Sequence, residues 1–351
     1  MFKIAILASF LDSLMKHILG RCNMNVKNLF NLSWSRMLYI CFGALIIFSL
    51  TIKFGMGQEN KWWPSRYGAD DVIGAANEVT PQKVLQAARL ITKGKVYDLQ
   101  LALVPEGPAF PPRYYQFQLM YNNLHPSRWL GSNHFSWSDE IIAGNLGTFT
   151  QVDCLGHAGI EEVFYNGRKW GDIATPAGLK TNSCDQTPPL MTRGVLIDVA
   201  AYKGVSVLPD DYVITTADIE GALKKQGGIT VEPGDIVIFH TGWIQSYWLK
   251  DNKRYISSEP GPSSEAAQWL IDKRVAAAGA DNWGVEAFPV KGSNEMFDLH
   301  QELITKNGIY LLENVVSEQL ARDKVYEFAF VMSFLKAKGA GQTWGTFAAI
   351  K

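Results

Sequence analysis

Two short stretches of this chain carry residue types able to hold a metal ion or move a proton. The first is Gly147-Thr148-Phe149-Thr150-Gln151-Val152-Asp153-Cys154-Leu155-Gly156-His157. Written as a strand, it places Gln151 and Asp153 on one face, because side chains alternate with period two. His157 then falls on a following turn or helix start. A carboxylate and an imidazole at this spacing can share a metal, or divide into ligand and general base. The same residues also fit a plain turn capped by Asp153 with His157 at its edge. The second stretch holds His300 and Glu313. Glu313 closes the apolar run Ile309-Tyr310-Leu311-Leu312, where the local pattern does not call for a charge. Charges are seldom buried unless paired or metal-bound, so Glu313 is either functional or an exposed strand end.

Elements able to position these groups follow from the periodicities. Thr80-Pro81 reads as a helix N-cap followed by proline at N1, and Val84, Leu85, Ala88 and Ile91 form the stripe that ends at Gly94. Two further helices are expected over 216–226 and 264–274, each opened by a hydroxyl residue. Strands are expected over 96–104, 194–199, 235–240, 275–280, 309–313 and 326–334. Mixed strands and helices give an α/β or α+β class. The stretch 101–145 is rich in proline and aromatics with weak periodicity, and reads as a loop region framing a pocket.

The chain has 351 residues, of which 47% are hydrophobic and 19% charged, enough for a sizeable core. A net charge of −1 without a basic cluster removes the electrostatic case for a nucleic-acid partner. Met37 to Ile52 carries no formal charge and follows Lys27 and Arg36. It is short for a membrane span of about 20 residues and fits the apolar core of an export signal. Residues 1–57 are therefore expected to be a leader, cut before Gln58 or kept as an anchor, and 58–351 a single domain. The protein would then be exported or membrane-anchored, touching the membrane only through this segment. Cys154 and Cys184 could pair after export, but two buried thiols are the favoured reading. Trp62, Trp63, Trp129 and Trp137 are compatible with stacking on an aromatic ring.

Together the two clusters resemble the cyclase family, which includes kynurenine formamidases and isatin hydrolases. Its motif His-x-Gly-Thr-His-x-Asp-x-Pro-x-His aligns with 147–157, keeping Thr150, Asp153 and His157. Gly147 and Gln151 stand at the first two histidine positions and Phe149 at the glycine position. The later His and Glu of the family fall on His300 and Glu313. Further similar stretches, among them 63–71, 193–198, 240–243 and 279–281, spread the resemblance over 62–350.

The resemblance implies a compact, swivelling β/β/α domain with a mixed sheet and flanking helices, assembled as a homodimer or homotetramer. It implies a metal held by Gln151, Asp153, His300 and Glu313, with His157 as the catalytic base. With two motif histidines replaced, such an oxygen-rich set leans towards Mn²⁺ or Mg²⁺ over Zn²⁺. The expected activity is hydrolysis of a small amide or cyclic amide, in the manner of an arylformamidase of tryptophan catabolism. The alternatives are a lyase or isomerase using His157 as acid and base, and a metal-free exported binding protein with a degenerate site.

Overall fold

The computed structural model describes residues 61–121, 129–290 and 292–351. The leader 1–57, its apolar stretch and the cut before Gln58 lie outside the described residues. Trp62–Lys351 folds as one unit. In chain order its main elements are α1 (Pro81–Ala88), β1 (Val96–Asp98), β2 (Tyr115–Tyr121), β3 (Ser138–Gly144), β4 (Gln151–Asp153) and β5 (Leu190–Asp198). There follow α2 (Thr216–Lys225), β6 (Ile236–His240), α3 (Ser264–Asp272), β7 (Ala277–Ala280), β8 (Tyr310–Glu313), β9 (Glu327–Phe334) and β10 (Gln342–Ile350).

The helices start where the hydroxyls predict. Thr80, Thr215 and Ser263 each accept a hydrogen bond from the backbone N–H three residues on, satisfying a donor that the helix itself leaves open. Strands β5 to β8 run parallel, and β9, β10 and β4 pair antiparallel with their neighbours. The sheet order is β1-β10-β9-β5-β6-β7-β8-β4, and Gln342–Trp344 of β10 also pair with β4. That second pairing closes seven strands into a barrel-like ring, the mixed sheet with flanking helices that the resemblance implies.

Period-two alternation divides the core in two. Leu196, Ile238, Leu312, Val152, Phe330 and Phe347 pack together on the inner face. Val195, Val237, Phe239, Ala278 and Leu311 face outward, under Ile219 and Leu223 of α2 and Ala267 and Leu270 of α3. With Val152 turned inward, Gln151 and Asp153 must point outward, on the same side as Leu311 and Glu313.

Three expectations are corrected. The span 101–145 is not loop throughout, because β2 and β3 form a seven-residue antiparallel hairpin inside it. Every residue of β3 is exposed, so neither face imposes an apolar alternation that a sequence could display. The expected strand 96–104 ends at Asp98. Strand β10, absent from the sequence reading, is rich in glycine, threonine and alanine, which hide its alternating burial. Finally, Cys154 and Cys184 are not free thiols. They form a disulfide with Cα atoms 5.4 Å apart, tying the end of β4 to a buried turn.

Candidate metal centre

Strand β4 is wedged between β8 and β10. Its register sets Gln151 opposite Glu313 and Trp344, and Asp153 opposite Leu311 and Gln342. Two pairings therefore deliver Gln151, Asp153 and Glu313 to one outward patch. His157 arrives on the turn after Cys154, whose carbonyl accepts its N–H. His300 comes from a helical segment, Asp298–His300 continuing as a π-helical turn over Gln301–Lys306, which packs against β8 through Leu303 and Ile304.

These side chains converge although the sequence holds them far apart. Asp153 Oδ2 lies 3.6 Å from His157 Nε2 and 3.5 Å from His300 Nε2, and His300 Nε2 lies 3.6 Å from Glu313 Oε1. The ligand atoms of Asp153, His157 and His300 lie within 4.8 Å of one another, the cluster among the described residues suited to a metal ion. Ligand bonds of about 2.0–2.2 Å in a tetrahedral site set ligand atoms about 3.4 Å apart, close to the spacings found. Asp153 Oδ2 and Gln151 Oε1 are buried and accept no hydrogen bond. Orphaned buried oxygens are costly, and a cation held between Asp153 and the two imidazoles would satisfy Oδ2.

The electrostatics agree. Burial opposes ionisation of Asp153, but His157, His300 and the Gln151 amide hold its carboxyl below the usual range. Burial also works against protonation of His300, yet Asp153, Glu286 and Glu313 outweigh it and raise the imidazole well above its ordinary value. His157 shifts the other way, lowered by burial, by His300 and by Arg113 against the pull of Asp153, a shift that favours its uncharged form. Burial and the charge of Asp153 push Glu313 up.

Glu286, missed from sequence, orients the site. Its Oε1 lies 2.5 Å from His300 Nδ1, fixing the ring so that Nε2 faces Asp153 and Glu313. Metal-bound histidines commonly have such a carboxylate behind them. Glu286 sits on the irregular chain after β7, where neither periodicity nor spacing marks it. Left-handed backbone surrounds the cluster: Phe149, Val285, Phe297 and Asn314 all have φ between 54° and 67°. They are four of eleven such non-glycine residues among the described ones, and the bulky Phe149, Val285 and Phe297 are the strained members.

The replaced motif positions are filled in another way. A Cβ at Gly147 would come within 2.5 Å of the Gln342 carboxamide, and Gln342 Oε1 in turn accepts from Gln151 Nε2 at 3.3 Å. The Gln342 carboxamide thus uses the space that a side chain at 147 would need.

His157, His300 and Glu313 line a cavity of about 360 Å³ together with Phe110, Arg113, Trp283 and Phe297, while Asp153 is fully buried. Trp62, Trp63, Trp129 and Trp137 do not line it. Phe110 and Trp283 stack at 5.1 Å and Phe297 meets Trp283 edge-on, so the aromatic wall has members that the sequence did not single out. His240, an alternative base by type, binds Ser317 and Asp281 at the end of β6 and lines a different cavity with Asp198 and Glu318.

Comparisons with known proteins fit this architecture. The Cyclase family model matches residues 97–287. A crystal structure described as a novel cyclase is 31% identical, covers 82% of this chain and 96% of its own, and superposes with a TM-score of 0.75. Isatin hydrolase A from Ralstonia solanacearum is 19% identical over 78% of this chain and 98% of its own, with a TM-score of 0.55. Isatin hydrolase A from Labrenzia aggregata, bound to benzyl benzoate, is 21% identical over 73% and 93%, with a TM-score of 0.54. Comparison with curated proteins returns no match.

Proposed function

The chain belongs to the cyclase family, and from that premise we propose that it is a metal-dependent hydrolase of a small amide or cyclic amide bearing an aromatic ring. The observation that carries this reading is the meeting of Asp153 Oδ2 with the Nε2 atoms of His157 and His300, two imidazoles that line an aromatic-walled cavity. Catalytic metal sites keep three protein ligands and an open position. Asp153, His157 and His300 supply the three, and Glu286 holds His300 in the ligating tautomer. Two imidazoles and a carboxylate suit Zn²⁺ at least as well as Mn²⁺, because the set is richer in nitrogen with His157 included. A divalent ion held by Asp153, His157 and His300 would supply Lewis acidity towards the substrate carbonyl and towards water, whose pKa such ions lower to about 7.

Glu313 stands beside the three ligands, where it takes the proton of the attacking water and returns it to the leaving nitrogen. Its raised carboxyl exchanges a proton nearer neutrality than an ordinary glutamate does. This exchanges the roles that the motif resemblance implies for His157 and Glu313. The second reading keeps His157 as base and Glu313 as ligand, and is favoured by the half-buried His157 ring, its pKa lowered, opening onto the cavity.

An aryl substrate is supported by the Phe110–Trp283–Phe297 wall, and a cyclic one by the fold shared with proteins named for acting on isatin. Arylformamides belong to the same class. Export or anchoring through residues 37–52 and assembly into a homodimer or homotetramer complete the proposal on sequence grounds alone. The test is elemental analysis of the purified protein, followed by an arylformamide and isatin panel before and after chelation. Bound metal and chelator-sensitive C–N hydrolysis are expected. A metal-free protein that binds but does not turn over these compounds would overturn the proposal.

A further inference from the structure

Arg113 stands at the cavity with no task in the chemistry proposed above. One guanidinium nitrogen, Nη1, donates to the Gly147 carbonyl at 2.6 Å, and among the described residues no carboxylate pairs with it. It is half-buried, and no other lysine or arginine lines the cavity among the described residues. Its charge reaches the centre, since it lowers both His157 and Glu313. A guanidinium presents five donors in a planar fork, and one accepted bond leaves most of them unspent. The aromatic wall of Phe110, Trp283 and Phe297 lines the same cavity, and the Trp283 indole N–H also lacks an acceptor. An apolar wall holding unspent donors fits a flat ring carrying an anion.

We infer that Arg113 is the anchor for a carboxylate carried by the substrate, so that the preferred substrates are aromatic amides bearing a carboxylate group. This deepens the proposed function and rests on it for the bond that is cleaved, but not for the binding preference. The ring lies against Phe110, Trp283 and Phe297, the carboxylate pairs with the free edge of the guanidinium, and the amide is left over the Asp153–His157–His300 cluster.

Calorimetric titration of the full-length protein with 2-aminobenzoate and with the neutral 2-aminobenzamide reads this directly. The acid should bind about tenfold or more tighter than the amide, the usual scale for a charge-assisted pair. In Arg113→Gln that preference should vanish while affinity for the amide is kept, and Arg113→Lys should restore part of it. Asp153→Ala separates a carboxylate held by Arg113 from one bound to a metal. Preference that survives in Asp153→Ala supports Arg113. Preference that survives in Arg113→Gln but disappears in Asp153→Ala overturns the assignment. So does equal binding of acid and amide by the unaltered protein, or an equal loss for both in the Gln and Lys variants. An Arg113-dependent preference in a protein that hydrolyses none of the amide panel would sink the hydrolase reading and leave the anchor standing.

Discussion

At the scale of single residues, the site divides into groups that sequence could nominate and groups that only folding reveals. Gln151 and Asp153 were legible because a two-residue period fixes a shared face, and His300 and Glu313 because the family motif spaces them alike. Glu286, Arg113 and Trp283 were not, since they come from irregular backbone whose direction no periodicity encodes. The roles invite separate tests. Asp153→Ala should abolish metal binding, because it removes the carboxylate shared by both imidazoles; metal retained in that variant would remove Asp153 from the ligand set. Glu313→Gln should keep its metal while turnover drops about 10²–10⁴-fold, the usual contribution of positioned acid–base catalysis. Loss of metal instead would restore Glu313 as ligand and His157 as base. Behind His300, Glu286→Gln should weaken metal affinity by about 10–100-fold, as removal of such supporting partners does. Unchanged affinity, measured by competition with a chelator, would show that Glu286 serves only the local fold.

At the scale of elements, β4 is the piece on which the site depends. Three residues long, it is held on one edge by β8, on the other by β10, and at its end by the Cys154–Cys184 disulfide. The apolar strands β5 to β8 were readable as continuous hydrophobic runs, the mark of buried parallel strands. Strand β10 and the exposed hairpin of β2 and β3 were not, one being too small-residued and the other unburied on both sides. The disulfide is not legible in the sequence, because buried cysteines look the same whether paired or free. Closing a loop of 30 residues, it should stabilise the fold by about 2–4 kcal/mol. Denaturant unfolding of Cys184→Ser against the unaltered protein checks this, and equal midpoints would show the bond absent or without effect.

At the scale of the whole molecule, the buried cluster would link metal binding to pH. His300 has a folded pKa raised above its unfolded value, so its stabilisation is full below about 6.5, the unfolded value, and is lost as pH rises through the folded pKa. Glu313, also raised, costs stability over the same direction of pH change. The metal-free protein should therefore melt at lower temperature as pH rises above neutrality. Metal reverses that trend, because it must displace the His300 proton and binds more tightly as pH rises. Melting curves with and without Zn²⁺ between pH 6 and 9 should diverge as pH increases, and parallel curves would deny the coupling.

The proposed function stands on one catalytic metal ion held by Asp153, His157 and His300. The most direct test is the metal content of the unaltered protein and of His157→Ala, by mass spectrometry of the elements after exchange into metal-free buffer. About one equivalent of zinc or manganese per chain is expected in the first and almost none in the second, because losing one of three ligands empties such a site. A protein without metal after reconstitution, or a variant that keeps its full equivalent, would contradict the account.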